Sequence, residues 1–350
     1  MYIVKKLSPL KNRLLKKYRL KQYTKKAHGI RQSVIERTGR EVVTKKVKEE
    51  IKEYSKEIFG SASLWPWLAL YAEVKGEFIP GWLPNDYFQI HLLDKWNPRQ
   101  FAEISDMKSF YHDQFSEFTV EPLIMKVGGN YYDSHWNVLD DDQVMDLLLS
   151  NGKEIIIKQD GGIAGKGIRI IMPDKLKIKT LNDYEENIVI QPIVKQHEVL
   201  SRIHHRSLNT LRIATFIEND GTAVLKFIIL KFGIAGSRLD KLNTGGGMAF
   251  LNMDGTVISD IIDGFGIVIG HTHPDSSITL KGLKIPSVKE AVEQCITQHN
   301  KFPYTRFIAW DIYVDQDSKP KLIEWNAIRP GMWVAEAHVG PVWDLGSILN

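Results

Sequence analysis

Residues 155–171 read Ile-Ile-Ile-Lys-Gln-Asp-Gly-Gly-Ile-Ala-Gly-Lys-Gly-Ile-Arg-Ile-Ile, two β-branched apolar runs joined by a loop that holds Gly161, Gly162, Gly165 and Gly167. No other stretch of the chain restricts its fold so tightly. The runs are too short for helices and composed like strands. The glycines between them let backbone amides approach phosphate oxygens with no Cβ in the way. The loop lacks the Gly-Lys-Ser/Thr ending of a P-loop, and it leads into a strand instead of a helix, unlike a dinucleotide-binding turn. Strand, glycine loop, strand is the pattern of a flap closing over phosphates, with Lys158 at the end of the first strand beside the α or β phosphate. A plain hairpin with a glycine-rich turn is the competing reading, and other residues must decide.

The next constraint lies near the C-terminal end. Phe307-Ile-Ala-Trp-Asp311 and Leu322-Ile-Glu324-Trp-Asn326 read as neighbouring strands around a turn at 315–320. Alternation puts Ala309, Asp311 and Tyr313 on one face of the first, and Leu322, Glu324 and Asn326 on one face of the second. Asp311, Glu324 and Asn326 then converge as hard oxygen ligands. Magnesium is held by one or two carboxylates together with nucleotide phosphates, and without the metal the carboxylates would repel a triphosphate.

Composition agrees with a folded chain. Of 350 residues, 43% are hydrophobic and 25% charged, which excludes disorder and fibrous structure for most of the length. The longest apolar run, Leu64–Ala72, is too short to span a bilayer and contains Pro66. The charged opening lacks a secretory h-region, and Cys295, the single cysteine, can form no internal disulfide, so a reducing cytoplasm is expected. Residues 1–60 carry 18 Lys/Arg against 6 Asp/Glu, leaving the other 290 residues net acidic. Leu7, Leu10, Leu14 and Tyr18 recur at near-helical spacing among these lysines. That suits a helix docked on the body, a helix on an acidic surface such as the inner face of a membrane, or, least well, a nucleic-acid arm.

Along the chain, residues 1–60 read as basic helices broken near Gly29, with a long polar helix over 34–58 interrupted at Gly39. Residues 61–100, with Trp65, Trp67, Trp82 and Trp96 among prolines, read as loop-rich aromatic packing. A helix is expected at 106–115, a strand at 123–127 and an acidic helix at 140–149. Strands follow at 154–158, 167–172, 188–191, 210–218 and 222–232. A helix at 287–298 and strands at 306–314 and 321–325 complete an α+β chain with mainly antiparallel sheets.

Taken in order, these pieces resemble the ATP-grasp superfamily, and in particular its sugar-transfer-associated family. Asp106-Met-Lys108-Ser-Phe110 resembles the first nucleotide-contacting lysine motif, and residues 155–171 the second lysine, Lys158, with its flap, Lys166 included. Ile188-Val-Ile-Gln191-Pro-Ile193-Val194 resembles the adenine hinge, with Gln191-Pro192 where many ATP-grasp enzymes carry an acidic residue. Gln196-His197 and Ser207-Leu-Asn209-Thr-Leu-Arg212 resemble the segment that brings an arginine to the transferred phosphate. Asn243-Thr-Gly245-Gly-Gly247 resembles the later glycine stretch, and Asp311 with Glu324 and Asn326 the metal end. The resemblance covers about residues 95–345. It implies two α+β subdomains gripping ATP, preceded by the basic helical region. The domains expected are 1–60, then 61–150 with the first lysine, 151–205 with flap and hinge, and 206–350 with the metal and substrate site.

The activity so implied is carboxylate activation by ATP and Mg²⁺ through an acylphosphate that an amine captures, with saccharide-linked substrates in surface-polysaccharide synthesis. Lys108, Lys158, Gly161, Gly162, Gly165, Lys166, Gly167, Gln191, Ile193, Val194, His197 and Asn209 would line the nucleotide. Arg212 would neutralise the γ phosphate. Arg329, in Asn326-Ala-Ile-Arg329-Pro-Gly, offers a bidentate fork for a substrate carboxylate, or closes the C-terminal loop by a salt bridge. His271 and His273 could share a strand face as metal ligands, contact substrate or pack at the surface. Two rival functions remain open here: a kinase phosphorylating a sugar or inositol hydroxyl, and a non-catalytic protein binding an anionic polymer.

Overall fold

The computed structural model describes residues 9–162, 167–234 and 246–349. The chain forms two compact units: residues 1–98 with 262–269 and 329–350, and residues 99–261 with 270–328.

The first unit is helical. Helix α1 (Pro9–Thr38) runs unbroken through Gly29, which meets no neighbour that a Cβ would touch. The expected break is absent because Ala27, Ile30 and Val34 bury one stripe of the helix, and that packing outweighs one glycine. The chain does break at Gly39 (φ 65°), the interruption expected within the 34–58 stretch. Helix α2 (Lys45–Phe59) starts afresh at the Thr44 cap. The tryptophan-rich stretch is helical and not loop-rich: α3 (Trp65–Lys75) places Pro66 in its first turn, where the missing N–H costs nothing. Trp67, Leu68, Leu70, Tyr71 and Trp82 are fully buried.

Glu73 of α3 fastens this unit. Its fully buried carboxylate accepts hydrogen bonds from Arg31 Nη2 (2.7 Å) and Nε (3.0 Å) and from the amides of Val42 (2.7 Å) and Val43 (3.2 Å). Helix α1 and the 39–44 turn are thereby tied to α3. Two other buried carboxyls, Asp86 and Glu336, have no such cation among the described residues. Burial pushes Asp86 up to about 7 and Glu336 up to about 8, although Glu336 accepts the amides of Leu83 and Val342. Both prefer the neutral form, so the stability they allow is complete below about pH 4, the unfolded range, and is lost as pH rises through 7 to 8. The melting temperature reported by tryptophan fluorescence is expected to fall between these limits, and Asp86→Asn with Glu336→Gln to flatten the fall. An unchanged slope in the double variant would count against the assignment.

The second unit carries two sheets. The smaller comprises β1 (Ile124–Val127), β2 (Asn130–Tyr132), β3 (Val138–Leu139), β4 (Ile155–Gln159), β5 (Ile168–Ile171) and β6 (Ile188–Pro192), in the order β3-β2-β1-β6-β4-β5. Its pairs are antiparallel. Ile124, Ile155, Ile157, Ile188 and Ile190 bury one face against Val144 and Leu148 of the helix Asp141–Asn151, which a capping box at Asp140 and Gln143 initiates. Since β1 pairs with β6, the expected boundary at residue 150 falls within this layer.

The larger sheet takes β7 (Thr210–Ile217), β8 (Ala223–Phe232) and β9 (Gly247–Leu251). The chain leaves this unit through β10 (Ile261–Ile262) and returns through β11 (Val268–Gly270) to supply β12 (Phe307–Val314) and β13 (Pro320–Asn326). The long strands lie in the order β9-β8-β7-β12-β13. Ile213, Ile228, Leu230, Trp310, Ile312 and Trp325 share a core with Val288, Ala291, Val292 and Cys295 of the helix Val288–Lys301. One face is thus filled with apolar side chains. The other is left for polar ones.

Candidate active site

On that second face β7, β12 and β13 bring charge together. Asp311 stands opposite Arg212 on β7 and opposite Glu324 on β13, while Asn326 stands opposite Ala309. The register then slips between Asp311 and Ile312, so that Ile312 faces Leu322 and Ile323 is the extra residue of a bulge. Leu322 accordingly turns into the core instead of sharing Glu324's face, a correction to simple alternation. Glu324 and Asn326 keep the expected side.

Arg212 grips the Asp311 carboxylate with two hydrogen bonds, Nε to Oδ1 at 2.9 Å and Nη2 to Oδ2 at 2.6 Å. Lys231 of β8 adds its ammonium 3.5 Å from Oδ2, and Asn326 Nδ2 lies 3.5 Å from the same oxygen. Burial alone would raise the Asp311 pKa, but Arg212 and Lys231 overcome it and hold the group below its ordinary value. Glu324 behaves oppositely. Burial and the neighbouring Asp311 charge push it up, against the pull of Lys108, Arg212 and Lys231.

The smaller sheet contributes the second half of the site. Lys158 projects from the face opposite that isoleucine layer and is buried there, with Nζ donating to Gln191 Oε1 at 2.8 Å, and Gln191 Nε2 donates to the Val120 carbonyl at 2.6 Å. Gln191 is neutral, so among the described residues Lys158 has a dipole and no charge at hydrogen-bond range. Burial lowers its pKa to about 8, with Lys108 acting in the same direction and Glu324 opposing. Lys108, itself buried, donates to the Gly162 carbonyl at 3.1 Å, which couples the first lysine to the flap. The helix expected over 106–115 is two short turns, 3-10 at Lys108–Phe110 and α at Tyr111–Phe115.

The stem of the flap is held tightly. Asp160 accepts from Ser109 N (2.9 Å), Ser109 Oγ (2.6 Å) and Asn187 Nδ2 (3.2 Å), and Gly161 N donates to the Asp106 carbonyl at 2.9 Å. Gly167 has φ 80°, and a Cβ there would stand 2.6 Å from Gln159 Oε1, so glycine is required where the flap returns to β5. Gly165 and Lys166, and Asn243 to Gly245 of the later glycine stretch, lie outside the described residues.

Five further expected residues can be placed. His197 caps the helix Glu198–Ile203, its Nδ1 accepting from Val199 N at 3.2 Å. Asn209 is fully buried, with Nδ2 donating to the carbonyls of Leu200 (2.7 Å) and His204 (2.8 Å). Both side chains therefore shape the segment leading to Arg212. Ile193 and Val194 follow β6, and Ile193 is exposed. Arg329 belongs to the helical unit.

The two histidines do not share a face. His271 is exposed and bonds Asp260 Oδ1 at 2.7 Å, whereas His273 is fully buried. His273 does gather with His204 and Asp275 at metal-ligand spacing. Its Nε2 is bonded to the Gly233 carbonyl (2.9 Å), however, and its Nδ1 accepts the amides of Asp275 (3.2 Å) and Ser276 (3.3 Å). Both ring nitrogens are thus spent on fixing the turn.

Lys231 is the site residue that the sequence did not reveal. The strand TAVLKFIILKF offers two lysines, and only the partner strands distinguish Lys231, beside Asp311, from Lys226, which pairs with Glu218 at 2.6 Å.

A family model described as sugar-transfer associated ATP-grasp matches residues 87–342. Among curated proteins there is no match. Similar solved structures include the D-alanine-D-alanine ligase from Coxiella burnetii, at 10% identity over 71% of this chain and 57% of that one, with a TM-score of 0.38. The ATP-grasp ligase PsnB complexed with minimal precursor is similar at 13% identity over 73% and 64%, with a TM-score of 0.41. D-alanyl-alanine synthetase A from Vibrio cholerae is similar at 11% identity over 81% and 73%, with a TM-score of 0.39. The chain spans less than two thirds of the length of the first two.

Proposed function

We propose, on the premise that this chain belongs to the sugar-transfer-associated ATP-grasp family, that it is an ATP-dependent ligase activating a carboxylate for capture by an amine. The observation that supports this most is one unit holding two carboxylates, an amide and four cations: Asp311, Glu324 and Asn326 with Arg212, Lys231, Lys158 and Lys108. Their coupling is visible in Glu324, which senses Asp311, Lys108, Arg212 and Lys231 together. A buried Lys158 with no carboxylate at hydrogen-bond range among the described residues is suited to a polyanion, and the hard oxygens opposite suit Mg²⁺. Bound there, Mg²⁺ would supply charge neutralisation between nucleotide phosphates and carboxylates.

In this reading Lys108 and Lys158 hold the α and β phosphates. Gly161 and Gly162 start the flap over them, Gly165, Lys166 and Gly167 complete it, and Gln191, Ile193 and Val194 border the base. Asp311, Glu324 and Asn326 are the metal ligands. The substrate carboxylate oxygen bonds the γ phosphorus as the bond to the β–γ bridging oxygen breaks and ADP leaves. The amine then attacks the acyl carbon, inorganic phosphate departs and the nitrogen loses a proton. Arg212 supports both steps by neutralising the γ phosphate and the acylphosphate. It must first loosen its bidentate hold on Asp311, so nucleotide entry and release of that carboxylate are linked. The coupled pair would be an amino acid or similar amine and a sugar acid in surface-polysaccharide synthesis.

Incubation with Mg-ATP, a panel of uronic acids and hydroxylamine is expected to release ADP and a hydroxamate. A kinase would release ADP and leave a phosphorylated alcohol that hydroxylamine does not trap. A thermal shift with Mg-ATP, lost in Glu324→Gln, is expected first. A ligand at about 100 times its dissociation constant stabilises by roughly 2.7 kcal/mol. Absence of any shift at millimolar nucleotide would overturn the site.

Lys158 adds a pH test. Because burial holds its pKa at about 8, Mg-ATP affinity is expected to decline as pH rises through 8 in the free protein. Lys158→Arg, which stays charged, should abolish that decline. The same slope in both proteins, read by calorimetry, would exclude Lys158 as the titrating group.

A further inference from the structure

Among the described residues no helix is long and apolar enough to cross a membrane, yet α1 is built unlike an ordinary surface helix. Its C-terminal half is seated in the helical unit, where Ala27, Ile30 and Val34 are buried and Tyr23 packs against the same core. Its earlier turns are different. Residues 13 to 18 are exposed on every side of the helix, with Leu14 59%, Leu15 43% and Tyr18 62% accessible. Leu14 and Tyr18, four residues apart, lie on one stripe, and Leu15 widens it.

Cations surround this apolar patch. Residues 13–26 hold seven Lys/Arg and no Asp/Glu. Arg19 is tied to the body through the Gln89 carbonyl (2.9 Å) and Asp94 (3.5 Å). Arg13, Lys16, Lys17, Lys21, Lys25 and Lys26 make no ion pair among the described residues. Lys17, Lys21 and Lys25 continue the stripe of Leu14 and Tyr18 at helical spacing.

We propose that this exposed part of α1 docks on an anionic lipid bilayer, lying in the headgroup plane with Leu14, Leu15 and Tyr18 buried at the acyl boundary and the lysines on lipid phosphates. The joint arrangement selects the partner. Cations alone would equally fit nucleic acid, but phosphodiester backbone offers nothing to two exposed leucines. Leucines alone would equally fit another protein, but six unpaired cations would then have to be buried or left without counter-charge. An interfacial helix with basic and apolar residues side by side satisfies both groups at once. The inference does not depend on the ligase reading, since it rests on the helical unit alone.

The test is co-flotation of the full chain with phosphatidylcholine vesicles and with vesicles containing about 30 mol % phosphatidylglycerol, a charge density near that of anionic cytoplasmic leaflets. Binding is expected only to the second, and is expected to weaken in high salt without vanishing. Leu14→Ser, Leu15→Ser and Tyr18→Ser together should reduce the partition coefficient by about tenfold or more. Lys17→Glu, Lys21→Glu and Lys25→Glu should abolish the preference for anionic lipid. These side chains are solvent-exposed, so both variants should melt like the parent and keep its Mg-ATP shift. Equal binding to neutral vesicles, no binding at all, or no effect of the serine variant would overturn the proposal. So would a salt-steep affinity for duplex DNA exceeding that for the vesicles, or dimerisation abolished by the serine substitutions.

Discussion

Arg212→Ala is expected to lower turnover by about 10²–10³-fold while nucleotide binding survives, the loss that follows removal of one preorganised cation from a developing negative charge. The parent geometry explains why the effect should separate in this way. Arg212 is engaged with Asp311 through two hydrogen bonds, so removing it leaves Lys231 as the nearest cation and frees the carboxylate for a divalent ion. Manganese affinity, measured by electron paramagnetic resonance without substrate, should be undiminished or tighter in the variant. Arg212→Lys retains charge but loses the fork, and should fall between parent and alanine. Turnover equal to the parent in the alanine variant would remove Arg212 from the mechanism. Weakened manganese binding would mean that it props the carboxylate instead of competing for it.

The second large effect concerns folding. Glu73→Ala removes the buried carboxylate that Arg31 and two backbone amides share, leaving the amides unmet and Arg31 with only the exposed Glu41 among the described residues. Breaking such a pair from one side costs about 3–5 kcal/mol, a sizeable share of the roughly 5–15 kcal/mol that holds a domain together. Urea titration followed by tryptophan emission should show an early transition for the helical unit. Arg31→Met combined with Glu73→Leu should recover part of the loss, since no charge is then buried alone. A loss below about 1 kcal/mol would place the pair with ordinary surface bridges.

Much of the sheet-bearing unit was legible because its strands are short, β-branched and bounded by glycine or turn residues. The two strands around the glycine loop, and the pair with Asp311 and Glu324 directly opposite, could be placed to within a residue or two. The limits were physical. Alternation assumes an unbroken ladder, and the bulge at Ile323 moved Leu322 to the other face. Lys231 acquires meaning only from Asp311, eighty residues away in sequence. His197 and Asn209 have the composition of ligand-binding residues, but a helix start and two orphan carbonyls claim them first. In the helical unit, Pro66 and the tryptophans read as punctuation because the sequence does not show that the proline falls in a first turn. Gly29 read as a break because the burial of its neighbours is a tertiary fact.

The helical unit is assembled from pieces far apart along the chain, and this sets the order in which a ribosome can complete it. Trp67 packs near Trp333, and the Leu83 amide donates to Glu336, about 250 positions downstream. While the intervening residues are being made, the first hundred must wait with an indole surface uncovered and a backbone donor unmet. The sheet-bearing unit, closed by Ile328, has all its strands before that wait ends. The two sheets should therefore settle before the earliest-made helices find their last partner. A stop codon placed after residue 328 would yield a chain whose oldest segment is the one still seeking a chaperone.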